Sequence, residues 1–414
     1  TADCQNEVTE CNESNNTMSR YVVPVVNGFK GDGWQDGRGI NTNITTEQGH
    51  VRLRYAVGKA SYWINSTGVK TYFPAGTYYL SGSKDWVAYV ETWNDTMLPV
   101  PSGASIKEAR LYVYYTWDKT PGLNITDYFS LTFNSASVTP YAKYSDRKAP
   151  GLAPCGYGCT DPWRKYSYPY GMLAYNVTDN VRTWWSTNPT ADIVANLTDS
   201  YPGGGKVSMH GMVLVVIYEH PDEPERVIYV NEGYDLLSTY GGKYGVTPEE
   251  ATTNATFDIT DVWQFAKATL VTISPSAGKP DKNSLFFNGK EWKGGVAGRE
   301  IMSGIGYAPA YGSYKQEIAV NETDIPVALL EEGENIAEFQ DAGDHFGAAN
   351  AFLVLEKSCA KLIYVDPEET VVQPQDQFEV DIKVNPYGVW DVYGIQYTLK
   401  YDPSVLKAES QVTG

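Results

Sequence analysis

The chain is short of positive charge. Its 414 residues carry 32 Lys and Arg against 50 Asp and Glu, a formal net charge of −18 and a pI near 4.7. A nucleic-acid face needs clustered Lys and Arg to neutralise phosphates. Here the basic residues are scattered, so nucleic acid is excluded as a partner. Long apolar runs are missing too. The longest, Met212 to Tyr218, is strand-sized, against the ~18–20 residues of a membrane-spanning helix. No leader segment is visible, which for an exported protein makes this the mature form. Histidine (4) and cysteine (5) are scarce, and no His stands at ligand spacing from Cys155 and Cys159, which weighs against zinc. G-x-S-x-G, H-E-x-x-H, Walker-type and G-x-G-x-x-G motifs are all missing. The reading is therefore of a protein that is not an enzyme. A hydrophobic content of 42% is still enough for real cores. At ~150 residues per domain the length points to two or three of them.

What the chain does have in excess is N-x-S/T sequons. There are ten, at Asn12, Asn15, Asn43, Asn65, Asn94, Asn124, Asn176, Asn196, Asn254 and Asn321, where composition alone gives roughly three. Asn and Thr are also common in turns and at strand ends, which explains part of the excess. The rest predicts an extracellular, cell-surface protein bearing N-linked glycans. Cysteine usage agrees with export. Cys4 and Cys11 lie close together in a polar tail, and Cys155 and Cys159 flank Gly-Tyr-Gly, so two local disulfides are expected. Cys359 is left over, either a buried free thiol or an intermolecular link.

Helical periodicity is nearly absent. What recurs are alternating or fully apolar runs rich in Val, Ile, Thr and Tyr, bounded by Gly, Pro, Asn and Asp. Ala109 to Trp117, Gly211 to Glu219, Asn350 to Glu356 and Gln377 to Val384 are examples. The predicted class is all-β, with tandem β-sandwich, jelly-roll-like modules. Self-comparison finds an ordered echo. Ala109-Arg-Leu-Tyr-Val resembles Ala268-Thr-Leu-Val-Thr, and Leu131-Thr-Phe-Asn134 resembles Leu285-Phe-Phe-Asn288. Tyr175-Asn-Val-Thr-Asp179 then resembles Val320-Asn-Glu-Thr-Asp324, and Val213 to Glu219 resembles Ala351 to Glu356. The expected layout is a glycosylated tail over 1–20, a first sandwich with its N-terminal extension over 21–225, a second over 226–357, and a partial Ig- or cohesin-like β segment over 358–414. The Asn/Asp-x-Thr-Asp motif reads as a strand end whose short polar side chain starts a turn or a one-turn helix. In that reading Trp184 and Trp185, and the residues after Asp261, pack on a sheet.

The block from Ala109 to Glu356 includes Ala109-Arg-Leu-Tyr-Val, Tyr218-Glu-His-Pro, Val230-Asn-Glu-Gly-Tyr-Asp and Asp341-Ala-Gly-Asp-His-Phe-Gly. It resembles a family of large secreted surface proteins of methanogenic archaea, defined as a domain of unknown function. Val392-Tyr-Gly-Ile-Gln-Tyr-Thr-Leu-Lys-Tyr-Asp-Pro-Ser-Val-Leu resembles the most recognisable strand pair of a cohesin-type sandwich. The resemblances imply exported, modular, surface-associated proteins and bring no catalytic residues.

Other chemistry is thinly represented. Glu331 and Glu332 precede a turn, which leaves them better placed as solvated carboxylates than as a glycosidase pair. Asp32 and Asp36, and Asp341 and Asp344, could offer oxygens to a structural Ca²⁺, though neither pair has EF-hand spacing. Tyr (32) and Trp (11) together far exceed Phe (12), so most rings carry a polar handle suited to carbohydrate or protein surfaces. Tyr166 to Tyr170 and Trp184-Trp185 read as loop clusters of this kind. The function expected is a structural subunit that polymerises with itself in a layer, sheath or filament, the alternative being a glycan-binding or adhesive module. Strand contacts between subunits are expected at the stripe Ile395, Tyr397, Leu399 and Tyr401.

Overall fold

Among the described residues, nearly every apolar run of the sequence is an extended strand in the computed structural model. It describes residues 28–31, 38–74, 79–120, 125–149, 153–155, 158–161, 164–165, 167–187, 190–202, 206–239, 245–277, 282–292, 318–343, 345–358, 363–366, 373, 376–384 and 404–407. The chain divides into two units, Thr1–Lys357 and Ser358–Gly414.

The described strands of the first unit form four antiparallel sheets. The first inner sheet runs, in spatial order, β2 (Val51–Val57), β12 (Ser208–Glu219), β6 (Ser105–Thr116), β10 (Tyr170–Asn176) and β9 (Ala142–Asp146). The first outer sheet is β4 (Lys70–Tyr72), β3 (Lys59–Asn65), β5 (Trp86–Trp93), β11 (Ile193–Asp199), β7 (Phe129–Phe133) and β8 (Ala136–Val138). The second inner sheet is β1 (Arg38–Gly49), β13 (Arg226–Leu237), β20 (Phe346–Lys357), β15 (Phe265–Pro275) and β18 (Ile318–Ile325). The second outer sheet is β14 (Thr252–Ile259), β19 (Gly333–Asp341), β16 (Asn283–Phe287) and β17 (Lys290–Trp292).

Alternation along the strands decides how these sheets stack. Leu111, Val113, Leu214 and Val216 point from the first inner sheet into a core with Trp86, Tyr89, Leu131 and Phe133 of the first outer sheet. Their neighbours Tyr112, Tyr114, Val213 and Val215 point the other way, into a second core. That core contains Val230, Phe352 and Leu353 of the second inner sheet, and Phe257, Phe287 and Phe339 of the second outer sheet. The first inner sheet is thus buried on both faces, which is why β12 reads as an unbroken apolar run. The two sandwiches meet inner face to inner face, with the Tyr112 and Phe352 rings stacked at 6.5 Å and the Tyr114 hydroxyl donating to Asn350 Oδ1 at 2.6 Å.

The sheet orders repeat. β2-β12-β6-β10 in one inner sheet answers β13-β20-β15-β18 in the other, and β5-β11-β7-β8 answers β14-β19-β16-β17. Each pair of echoed motifs falls on equivalent strands or at their ends. The Asn of Leu-x-Phe-Asn shows why the sequence is kept. Asn134 (φ 47°) and Asn288 (φ 46°) both turn the chain in the left-handed region after β7 and β16, which Asn tolerates better than most residues. Each also bridges to the next strand. Asn134 Oδ1 accepts from the Val194 amide at 2.8 Å, and Asn288 Oδ1 accepts from the Ile336 amide at 2.8 Å.

Two expectations are corrected. Strand β1, placed by its sequence position in the first sandwich (21–225), pairs with β13 from Thr42↔Glu232 to Gly49↔Arg226 and so completes the inner sheet of the second. Trp184 and Trp185 are not in a loop or a one-turn helix. They lie on α1 (Thr178–Thr187), ten residues long, and Trp184 is buried in the first core with its Nε1 donating to the Ala191 carbonyl at 2.8 Å. Tyr170 likewise begins β10 and is buried.

In the second unit, β21 (Ile363–Asp366) pairs antiparallel with β22 (Asp381–Val384). Cys359, Ile395, Tyr397, Leu399 and Tyr401 lie outside the described residues.

Candidate functional site

The polar chemistry of the first unit gathers where the two sandwiches meet. On β13, Glu232 is fully buried and turned toward the first inner sheet. The hydroxyls of Tyr141 and Tyr144 donate to its two carboxylate oxygens at 2.7 and 2.8 Å. Burial pushes its carboxyl up, and the phenol hydrogen bonds and nearby Arg110 pull partway back. A few residues on, Asp146 at the end of β9 accepts from the Leu236 amide at 2.9 Å through Oδ2. Both carboxylates satisfy donors at a junction that could not otherwise be dry.

At the other edge of the junction is an open cleft of about 290 Å³ lined by Arg52, Arg54 and Tyr55 of β2, Lys267 of β15, Glu322 of β18 and Glu356 of β20. Its charges are largely matched. Arg226 donates to Glu356 and Glu223 at 2.8 and 2.9 Å, Arg52 donates to Glu223 at 3.1 Å, and the Tyr55 hydroxyl donates to Glu322. Burial raises the Glu223 carboxyl, but donors from Tyr218, Arg226 and Arg52 outweigh it and hold the group at about 2.

A third buried acid lies inside the first sandwich. Glu91 of β5 is fully buried, accepts from the Tyr89 hydroxyl, and accepts from the Met212 amide at 3.0 Å. Desolvation raises its carboxyl to about 8, with those two hydrogen bonds opposing. The Met212 amide is free to reach it because it points to the β2 side of β12, just past Val57 where the β2 ladder ends, and there the Gly58 amide takes only the Met212 carbonyl, at 2.9 Å.

Among the residues predicted from sequence, Cys155 and Cys159 form a disulfide with Cα atoms 5.7 Å apart. Cys4, Cys11, Asp32, Asp36 and Asp344 lie outside the described residues. Asp341, considered as a calcium ligand, is a buried fastener. Its Oδ2 accepts from the Thr239 amide, the Thr239 hydroxyl and the Gly343 amide at 2.5, 2.7 and 3.1 Å. Glu332 likewise spends its carboxylate on the Asp261 and Val262 amides at 2.8 and 3.1 Å. Among the described residues no group of three or more His, Cys, Asp or Glu is arranged to hold a metal, and no helix is long and apolar enough to cross a membrane.

The sequons fall into two settings. Asn65, Asn94 and Asn176 stand at strand ends, whereas Asn43, Asn196, Asn254 and Asn321 stand within strands β1, β11, β14 and β18. Asn12, Asn15 and Asn124 are outside the described residues. The sequence gives no sign of the acids at the junction, but it does offer one for Glu91 inside the first sandwich. In Trp86-Val-Ala-Tyr-Val-Glu-Thr-Trp93 it shares the core-facing alternation of Tyr89 and Trp93.

Residues 57–356 match the family described as "Protein of unknown function (DUF3344)", and the chain belongs to it. No curated protein matches the chain. Among solved structures it is similar to the ANXUR2 extracellular domain from Arabidopsis thaliana, with 9% identity, coverage of 74% of this chain and 97% of that one, and a TM-score of 0.23. It is similar also to peptide-N(4)-(N-acetyl-β-D-glucosaminyl) asparagine amidase, with 12% identity, 75% and 97% coverage and a TM-score of 0.23. For PNGase F from Flavobacterium meningosepticum the values are 11%, 74%, 96% and 0.23. Scores this low carry no functional argument.

Proposed function

We propose that the chain is an exported, N-glycosylated structural module of a self-assembling cell-surface layer, sheath or filament. The observation that carries this reading is the welding of two sandwiches through one inner sheet buried on both faces, with β12 buried along almost its whole length. The deeply buried carboxylates Glu232, Asp146 and Asp341 hold backbone amides and phenols across strands and layers. Such a block resists deformation, because packed cores are bistable rather than compliant. The sequon excess and the resemblance to secreted archaeal surface proteins support export. Electron microscopy and sedimentation of the native protein test the reading. Regular polymers are expected, and a protein that stays monomeric at high concentration overturns it.

One observation favours a second reading, a glycan-binding or adhesive module. The Trp117 and Tyr168 rings lie 6.1 Å apart with the Lys119 ammonium 5.4 and 5.8 Å from their centres. Trp117 holds φ +55°, a costly conformation for so bulky a residue. Retention on a glycan array that is lost on Trp117→Ala separates this reading from the first.

A further inference from the structure

The ten sequons are chemically alike in sequence, but the fold does not present the seven described ones alike. We infer that N-linked glycans are carried at the turn sequons Asn65, Asn94 and Asn176, and that Asn321 stays bare although its sequon is complete. The inference rests on the proposed export and glycosylation of the chain and names where that modification goes.

The transfer sets the requirement. The asparagine Nδ2 attacks the anomeric carbon of a lipid-linked glycosyl phosphate or pyrophosphate, supplied with its transferase by the exporting cell. The N–C bond forms and the anomeric C–O bond breaks. Its electron pair leaves with the phosphate, and one Nδ2 proton passes to a base of the transferase. The acceptor must therefore offer an Nδ2 that faces away from the fold, with room beyond it for a sugar.

At Asn65, between β3 and β4, the side-chain oxygen is held from three sides. Oδ1 accepts from the Thr67 hydroxyl at 2.8 Å, the Thr67 amide at 3.1 Å and the Val69 amide at 2.8 Å. With the oxygen fixed over the turn, Nδ2 points outward, beside a Val69 that is 56% exposed. Asn94, just after β5, repeats the arrangement. Its Oδ1 accepts from the Thr96 hydroxyl at 2.7 Å and the Met97 amide at 3.0 Å. Asn176, at the end of β10, is exposed, its Oδ1 accepts from the Thr178 amide at 3.0 Å, and it lines an open polar cleft of about 360 Å³. At each of the three, the fold takes up the oxygen and leaves the nitrogen.

Asn321 is the opposite case. It lies in the middle of β18 and shares a face with Ala319, Thr323 and Ile325, all buried. Across the strand pair it stands opposite Thr272, which is fully buried. Its Nδ2 is itself buried. Although the residue as a whole is half-buried, the nitrogen that would carry the sugar is enclosed on the side of the strand that faces the interior. Packed sheets stand ~10 Å apart with that space filled by side chains, so the folded protein leaves no room for a sugar on that nitrogen.

Glycopeptide mass spectrometry of the native protein, with surface labelling of intact cells as a separate measure of export, tests the inference. Glycans are expected at Asn65, Asn94 and Asn176 and an unmodified peptide at Asn321. In full-length variants, Asn65→Gln, Asn94→Gln and Asn176→Gln each lower the intact mass by one glycan, and Asn321→Gln removes none. The peptide map of the unaltered protein gives the same answer should a variant misfold. A glycan on Asn321, or glycans at other sequons with none at these three, overturns the site assignment while leaving export standing. A surface-labelled protein with no glycan at any sequon overturns the assignment and the glycosylation reading together. Failure of surface labelling overturns export itself.

Discussion

At the scale of single residues, the buried acids separate what a sequence can show from what it cannot. The alternation in β5 marks Glu91 as a carboxyl on an apolar face. What it faces is invisible in the sequence, because its partner amide on Met212 lies 121 positions away and is left over where the pairing of β12 with β2 ends. The site is also tight, since a Cβ on Gly58 would lie 2.2 Å from Glu91 Oε2 and 2.6 Å from the Trp93 ring. The raised carboxyl has a consequence with a definite sign. Unfolded, Glu91 releases its proton near 4.5; folded, it keeps it to about 8. Below the lower value both states are protonated, and the buried group adds no pH dependence. Between the two the folded state holds a proton that the unfolded state has released, so stability falls as pH rises and levels off above about 8. Glu91→Gln keeps an oxygen for the Met212 amide and offers an N–H to the Tyr89 hydroxyl, with nothing to titrate. Thermal melts from pH 5 to pH 8 should show the native protein losing stability and the variant losing markedly less. Parallel pH profiles for the two would show that Glu91 is not the group responsible.

At the scale of elements, the class and the repeat were legible because both rest on local pattern. Period-2 alternation and apolar runs identified the strands, and four short echoes in order marked the equivalent positions of two sandwiches. Legibility ended where an element's place is set by non-local pairing. Nothing within Arg38–Gly49 says that this strand crosses to the far inner sheet, and nothing in Trp184-Trp185 distinguishes a loop from a three-turn helix until the core that receives Trp184 is known. The echoed Asn134 and Asn288 show how a weak sequence match acquires a physical reason. Each combines a left-handed backbone with an acceptor for a neighbouring strand's amide, and few residue types supply both. Replacing Asn288 by Ala removes the acceptor from the Ile336 amide and places a Cβ with no compensating side chain in the left-handed region, a loss of about 2–3 kcal/mol. Asn134→Ala should cost about as much through the Val194 amide. Urea unfolding measures both, and a loss below ~0.5 kcal/mol at either position would mean that the echo has another cause.

At the scale of the whole molecule, the division at Lys357 sets the question of how copies assemble. The first unit carries its own cores, so it has what a fold needs without the residues that follow. The second unit differs. Its described strands β21 and β22 make a two-stranded ribbon of four residues each, and an isolated ribbon of that size is marginal in water. It needs more strands, from residues 385–414, from a continuing chain or from another copy. The alternating stripe Ile395, Tyr397, Leu399 and Tyr401 has the pattern of a strand with one apolar face, and addition of a strand to an open sheet edge combines main-chain affinity with side-chain specificity. Contacts of that kind made head to tail generate rings or open filaments. This is the reading in which the second unit joins subunits, and it predicts a clean separation of folding from assembly. Deleting residues 361–414 should leave the melting of the first unit unchanged while polymers disappear from micrographs and the sedimenting species becomes a monomer. Intact polymers from the shortened chain would place the contacts on the sandwiches, with β18 and β9, which end their sheets among the described residues, as the next surfaces to alter. A shortened chain that no longer folds would show instead that the second unit completes the fold of the first.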